Sequence, residues 1–231
     1  MESPGCPLCR LLFKAERELI EEILYEHVQD PQVRKRLRES LGLCPYHAWM
    51  LHDITLARPE MDGLGSTIIY EDMLSTYYEA MREGREDEVG GGSCLICEHM
   101  REFEEGYVGA FAERVATSDL LRKYVESPST LCVRHYRAVM NALAGRKGCE
   151  ELVSRLREAQ LRKIESILKD MREYIRKQDY LVKEEVTPEE ARAWRIALET
   201  LKGGRVSLNI LRVKPPEPRK GFLRGRQRRG R

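Results

Sequence analysis

Cys6-Pro7-Leu8-Cys9, followed by Cys44-Pro45-Tyr46-His47, is a pattern that occurs twice in this sequence. The second copy consists of Cys94-Leu95-Ile96-Cys97 and Cys132-Val133-Arg134-His135. A single shift of 88 positions superimposes the six cysteines and two histidines of the two copies. This spacing predicts an internal duplication in which each half carries one CxxC and one CxxH segment.

Each copy supplies three thiols and one imidazole, which together can complete a metal site. Thiolate sulfur and neutral imidazole nitrogen are the ligands that zinc and similar metals prefer, and a two-residue gap lets both side chains face one ion. Four protein ligands leave no open coordination position, which is typical of a structural site rather than a catalytic one. The candidate metal ligands are Cys6, Cys9, Cys44, His47, Cys94, Cys97, Cys132 and His135.

The residue types leave two kinds of metal centre open. Two zinc ions, one per site, would make the protein a non-enzymatic scaffold or adaptor stabilised by metal. Two 4Fe–4S clusters, each bound by three cysteines and one histidine, would instead indicate electron transfer or redox sensing. The sequence favours zinc and keeps the iron–sulfur centres as the alternative.

The pairing of the CxxC and CxxH segments is a separate question. A helix of roughly 20 residues carries the chain about 30 Å away from Cys9, and a shorter helix with a few extended residues can bring it back to Cys44. We therefore expect each half to form its own Cys3His site. An exchanged arrangement, in which Cys6 and Cys9 meet Cys132 and His135, uses the same ligand types and stays open.

The rest of the sequence predicts an all-α fold. Apolar residues recur at helical spacing among charged ones, and few stretches alternate with a period of two. We expect a helical bundle built from a diverged duplication, with a long C-terminal helix and a basic tail. Outside the ligands few positions match between the copies; they pair Glu16 with Glu104, Arg34 with Arg122, Lys35 with Lys123, and Leu43 with Leu131.

Composition divides the chain into five segments. These are a first repeat with a spacer helix over 1–83, a Gly-rich linker over 84–92, a second repeat over 93–147, C-terminal helices over 148–204 that pack on the repeats, and a flexible basic tail over 205–231. In the spacer helix, Tyr70, Leu74, Tyr77 and Met81 share one face, and we expect this helix to pack as a spacer between the halves.

A long helix is predicted from Cys149 to about Lys183. Its apolar residues form a stripe narrow enough for a coiled-coil seam, consisting of Leu161, Ile164, Leu168, Met171 and Ile175. We expect this stripe to pack within its own domain, with a homodimer as the alternative.

The charge distribution separates the body from the tail. From Gly203 to the end, ten Lys or Arg and one acid give a net charge of +9, which leaves −7 for residues 1–202 out of a total of +2. Such a tail can contact the phosphates of RNA or DNA without reading their sequence, or can simply be solvated. The candidate contacts are Lys214, Arg219, Lys220, Arg224, Arg226, Arg228, Arg229 and Arg231.

Other features narrow the class of protein. Seven cysteines without an apolar, cleavable N-terminal segment favour a reducing compartment, so we expect a cytoplasmic protein. No run approaches about 18 apolar residues, so we expect no membrane span. The sequence contains no P-loop, dinucleotide fingerprint, nucleophile elbow or HExxH motif, so we assign no catalytic residue and expect an unidentified protein partner rather than a substrate.

Taken together, these segments resemble an uncharacterised prokaryotic family of the domain-of-unknown-function kind. The resemblance covers nearly the whole chain up to the tail and rests on Cys6–Cys9, Leu43–Ala48, Gly63–Asp72, Cys94–Cys97, Leu131–His135 and Asp179–Gly203. It implies a helical, metal-binding domain and no particular activity. The chain departs from the family pattern at Asp179-Tyr180-Leu181, where we expect Asp-Tyr-Arg, and the basic tail looks like an addition.

Overall fold

The computed structural model describes residues 3–57, 63–117 and 119–206, and these residues form an all-helical protein. They contain nine α-helices, one short 3-10 helix at Glu86–Glu88, and no β-strand beyond a single parallel bridge between Gly5 and Ser129. The helices are α1 Pro7–Tyr25, α2 Pro31–Glu39, α3 Pro45–Ala57, α4 Leu64–Arg82, α5 Leu95–Thr117, α6 Leu120–Glu126, α7 Val133–Ala144, α8 Glu150–Arg176 and α9 Pro188–Lys202. The predicted all-α fold class is confirmed.

Local sequence signals set several helix starts. Proline occupies the first turn of α1, α2 and α9, where its missing N–H costs no hydrogen bond. The Asp30 side chain accepts hydrogen bonds from the backbone N–H groups of Gln32 and Val33. Thr187 and Glu190 form a capping box at the start of α9. These starts lie where the sequence predicts them.

The helices α1 and α5 pack side by side and run in opposite directions. Each begins with a CxxC segment, and each carries one of the matching glutamates, Glu16 on α1 and Glu104 on α5, to the CxxH segment of its own repeat. Two hydrophobic cores flank this pair. Both cores contain residues from both repeats, so the two halves of the duplication interpenetrate.

The apolar face predicted for the spacer helix α4 lies at the surface. Ile69, Met73 and Ala80 form its buried side, against α1, α2 and α3. The predicted set, Tyr70, Leu74, Tyr77 and Met81, is exposed. The expectation that α4 packs as a spacer between the halves is wrong, because α1 and α5 contact each other directly while α4 contacts α1, α2 and α3 of the first repeat.

The long helix α8 ends at Arg176, somewhat before the predicted end, and packs on α6, α7 and α9. Leu156, Ala159 and Gln160 are its buried residues. Three members of the predicted stripe, Leu161, Leu168 and Ile175, are exposed instead of packed within the domain. None of the helices described is both long and apolar enough to cross a membrane.

The predicted basic tail lies almost entirely outside the described residues, which end at Val206. This applies to all the candidate nucleic-acid contacts, namely Lys214, Arg219, Lys220, Arg224, Arg226, Arg228, Arg229 and Arg231.

Candidate metal centres

All eight predicted ligands lie in two compact groups. The first cluster consists of Cys6, Cys9, Cys132 and His135, and the second cluster consists of Cys44, His47, Cys94 and Cys97. Within each cluster the ligand atoms lie within 4.8 Å of one another. Each cluster therefore takes its CxxC segment from one repeat and its CxxH segment from the other. The expected pairing within each half is wrong, and the exchanged arrangement is the one observed.

Helix lengths explain the exchange. The part of α1 after Cys9 carries the chain about 24 Å away from that residue, whereas the 9 residues of α2 return it by only about 14 Å. Cys44 therefore lies beside the start of α5, where Cys94 and Cys97 are, and not beside the start of α1.

Each ligand pair lies at the N-terminus of a helix. Cys6 and Cys132 are the N-cap residues of α1 and α7, and Cys44 and Cys94 directly precede α3 and α5. The second ligand of every pair is the third residue of its helix. Unpaired backbone N–H groups and the positive end of the helix dipole favour thiolate over thiol at these positions.

Contacts between the repeats align the two segments of the first cluster. The backbone N–H of Thr130 donates to the carbonyl of Gly5 over 3.1 Å. The Arg10 guanidinium donates to the carbonyl of Pro4 at 2.8 Å and to the hydroxyl of Ser129 at 3.0 Å. The loop before Cys6 is thereby fixed against the loop before Cys132.

A buried polar network also positions Cys132 through its neighbour Leu131. The Leu131 N–H donates to the Tyr124 hydroxyl at 3.0 Å, and the Gln160 amide donates to the Leu131 carbonyl at 2.8 Å. The Tyr124 hydroxyl in turn donates to Gln160. Helices α6 and α8 therefore hold the backbone directly before this ligand.

A close backbone approach aligns the second cluster. The N–H of Gly92 donates to the carbonyl of Glu39 at 2.8 Å, and a Cβ at this position would lie 2.7 Å from the same oxygen. Arg36 pairs with Glu98 beside this contact. The glycine of the linker thus lets the end of α2 meet the segment before Cys94.

The ligand separations are nearly the same in both clusters. In the first, Nδ1 of His135 lies 3.3, 3.4 and 3.3 Å from the sulfurs of Cys6, Cys9 and Cys132. The sulfurs of Cys9 and Cys132 are 3.8 Å apart.

In the second cluster, Nδ1 of His47 lies 3.2, 3.4 and 3.5 Å from the sulfurs of Cys44, Cys94 and Cys97. The sulfurs of Cys44 and Cys97 are 3.8 Å apart. Three sulfurs and one nitrogen thus surround a point in each cluster at a spacing that could hold one metal ion.

A carboxylate faces the outer nitrogen of each histidine. Nε2 of His47 lies 2.9 Å from Oε1 of Glu16, and Nε2 of His135 lies 3.2 Å from Oε1 of Glu104. The contact at His47 is a hydrogen bond, which fixes the imidazole tautomer that would present Nδ1 to a metal ion. The contact at His135 is a charge proximity without hydrogen-bond geometry. The sequence showed that the two glutamates match between the repeats but gave them no role, because their position beside a histidine depends on how the helices pack.

The surroundings of His47 and His135 raise the pKa of both imidazoles. Burial lowers the pKa of His47, but the thiols of Cys44 and Cys94 and the Glu16 carboxylate outweigh burial and raise the pKa to about 11. Burial also lowers the pKa of His135, but the neighbouring sulfurs and the Glu104 carboxylate outweigh burial and raise this pKa well above its usual value. In both clusters the neighbouring sulfurs and the carboxylate thus favour a positive charge at the imidazole.

The two clusters differ in exposure. All four residues of the first cluster are buried, although Cys6 and Cys9 form part of the wall of a cavity of about 840 Å³ that Phe13 and Trp194 also line. In the second cluster Cys44 and Cys97 are half-buried. The seventh cysteine, Cys149, is buried at the start of α8 and belongs to neither cluster.

Comparison with known proteins places the chain in a family. Residues 86–206 match the model of a family of unknown function, DUF6062. The chain is also 30% identical over 203 residues to an uncharacterised 23.9 kDa protein encoded in the xynA 3′ region of Caldicellulosiruptor sp. (strain Rt8B.4), covering 86% of this chain and 95% of that protein. No solved structure matches the chain significantly. The resemblance predicted from the cysteine motifs is confirmed, and the chain belongs to the DUF6062 family.

Proposed function

We propose that each cluster binds one zinc ion and that the protein is a non-enzymatic helical scaffold whose two repeats are held together by these ions. The ligand separations carry the proposal. With Zn–S bonds of about 2.3 Å, the corners of a tetrahedron lie about 3.8 Å apart, and slightly less where nitrogen replaces sulfur. The sulfur–sulfur separations of 3.8 Å and sulfur–nitrogen separations of 3.2 to 3.5 Å agree with one ion per cluster.

The same separations favour zinc over iron–sulfur clusters. In a 4Fe–4S cluster each ligand binds a different iron atom, and a cube of four irons and four sulfides lies between the ligands. The ligand atoms must then be farther apart than those around a single ion. Sulfurs at 3.8 Å leave too little space for such a cube.

A scaffold role follows from the closed ligand set and the exchanged pairing. Three cysteines and one histidine fill the four positions of tetrahedral zinc, so no position remains for a substrate. Each ion would bond both repeats at once, and a structural zinc site contributes folding free energy on the order of 10 kcal/mol. We infer that the ions fix the relative position of the repeats and of the surfaces that they present to a protein partner.

We further propose that the basic segment after Gly203 contacts RNA or DNA as part of this adaptor role. The support is its net charge of +9 beside a body of charge −7. Phosphate contacts made by such a segment are electrostatic and independent of nucleotide sequence.

Metal analysis of protein purified without oxygen tests the zinc assignment. We expect about two zinc ions per chain and a colourless protein, because zinc has a filled d shell. The Cys132→Ser variant should retain about one ion, and the matched control Cys149→Ser, outside both clusters, should retain two. A brown protein that contains iron and acid-labile sulfide would contradict zinc and support the redox alternative.

A further inference from the structure

Helix α8 leaves a regular line of apolar residues partly exposed along its described length. Leu161, Leu168 and Ile175 are spaced by seven residues and are 60%, 43% and 67% exposed. At 100° per residue they lie about 100° to 140° around the helix from the buried Leu156, on a flank of α8 next to its buried face. A seven-residue apolar repeat is typical of a helix that packs against another helix.

An acidic and a basic residue lie beside this apolar line, one on each side of Leu168 along the helix. Glu165 lies three residues before the central Leu168 and Arg172 lies four residues after it, so each is about one turn from that leucine. Because the two are themselves seven residues apart, they lie on the same flank of the apolar line. Both are exposed, and neither has an ion-pair partner within residues 3–57, 63–117 and 119–206. We call Leu161, Glu165, Leu168, Arg172 and Ile175 the α8 seam.

We propose that the α8 seam is a homodimer interface in which α8 pairs with α8 of a second copy in antiparallel orientation. A two-fold axis beside Leu168 brings Glu165 of each copy next to Arg172 of the other, so the same strip is complementary to itself in shape and charge. The exposed face runs from residue 158 to residue 176, a length of about 27 Å.

The charge order favours the antiparallel orientation over the parallel one. In a parallel pair, identical residues lie at the same level, and Glu165 is displaced from the partner's arginine by seven residues, about 10 Å along the axis. In the antiparallel pair two complementary contacts form at once. This self-complementarity is the reason to assign the seam to a second copy of the chain rather than to a different protein.

Sedimentation of the full chain over a wide range of concentrations tests the interface. We expect a dimer that Leu168→Glu converts to a monomer, because a carboxylate would lie at the centre of the apolar contact. Leu74→Glu is the matched control: Leu74 is 69% exposed on the apolar face of α4, outside the seam, and its substitution should leave the dimer intact. Circular dichroism and zinc content should be unchanged in both variants, since both positions are exposed.

Charge exchange tests the orientation. Glu165→Arg and Arg172→Glu should each weaken dimerisation about tenfold, because each substitution brings like charges together. The double variant restores both contacts in the antiparallel pair and should recover the affinity of the unmodified protein. A monomer at every concentration, a dimer unaffected by Leu168→Glu, or a double variant weaker than both single ones would overturn the proposal.

Discussion

Two residues outside the ligand set, Glu16 and Glu104, place a carboxylate beside the outer nitrogen of each histidine. Each glutamate comes from the same repeat as the histidine that it contacts, but from the helix whose CxxC segment belongs to the other cluster. Helices α1 and α5 therefore each serve both clusters, with cysteines at one end and a carboxylate about 10 Å farther along the axis. The surroundings of the histidine in one cluster therefore depend on the position of the helix that supplies two cysteines to the other cluster.

Glu104→Gln should weaken zinc binding at the first cluster at least about tenfold. The amide keeps the shape of the side chain but removes the negative charge beside the imidazole, which raises the basicity of that imidazole as a ligand. The affinity can be measured by competition with a chromogenic chelator. Glu105→Gln, at the exposed neighbouring position, is the control. Equal zinc affinity in the two variants would show that the carboxylate has no part in the metal site.

At the scale of the helices, Asp72 joins α4 to α2. Its carboxylate lies 2.6 Å from Nε of Arg34 and 2.8 Å from a terminal nitrogen of Arg38. Burial raises the pKa of Asp72, but the two guanidinium groups outweigh burial and hold the pKa below its usual value. A lowered pKa in the folded state means that the contact stabilises the fold above the pKa of the unfolded chain, and that this stabilisation is lost as the pH falls.

Asp72→Asn should therefore reduce the free energy of unfolding by about 1 kcal/mol at neutral pH, a modest value because the pair is partly solvated. The difference from the unmodified protein should shrink as the pH falls below about 4, where the unfolded carboxyl is protonated. Urea unfolding followed by circular dichroism at several pH values measures this. A difference that stays constant from neutral to acidic pH would contradict the assigned ion pairs.

The helices themselves could be predicted from local signals, but their neighbours could not. Pro7, Asp30 and Thr187 act on the backbone within one turn, so their effect can be read from a short stretch. The apolar faces around Leu74 and Leu168 reveal a preferred side of each helix and not what covers it. Whether such a face is buried depends on contacts between distant parts of the chain. The position of α4 depends on how α1 packs against α5, and the position of α8 depends on the path of α9.

At the scale of the whole molecule, the eight cysteines and histidines of the two clusters could be predicted, and their pairing could not. Because the 88-residue shift makes the two CxxH segments equivalent, either can complete either CxxC segment with the same atoms. The choice depends on how far α1 carries the chain from Cys9 and how far α2 returns it before Cys44, a difference of about 10 Å. Small errors in the predicted helix ends are enough to reverse the predicted pairing of the segments.

Deleting residues 214–231 should abolish most binding to single-stranded RNA or DNA, because eight of the ten positive charges of the tail are lost. In the full chain, a fourfold rise in salt should weaken binding about a hundredfold if about five phosphates are neutralised. Fluorescence anisotropy with a labelled oligonucleotide measures both effects. A scrambled tail of the same composition should bind as well as the natural one, and unchanged affinity after the deletion would refute the proposed contact.

The exchanged pairing of the repeats is tested most directly by counting zinc in two double variants that share Cys9→Ser. Cys9→Ser with Cys132→Ser removes two ligands from the first cluster alone, so we predict about one zinc ion per chain. Cys9→Ser with Cys44→Ser damages both clusters, so we predict almost none after exposure to a chelator. The opposite result, with one ion retained by the Cys9 and Cys44 variant and none by the Cys9 and Cys132 variant, would contradict the exchange.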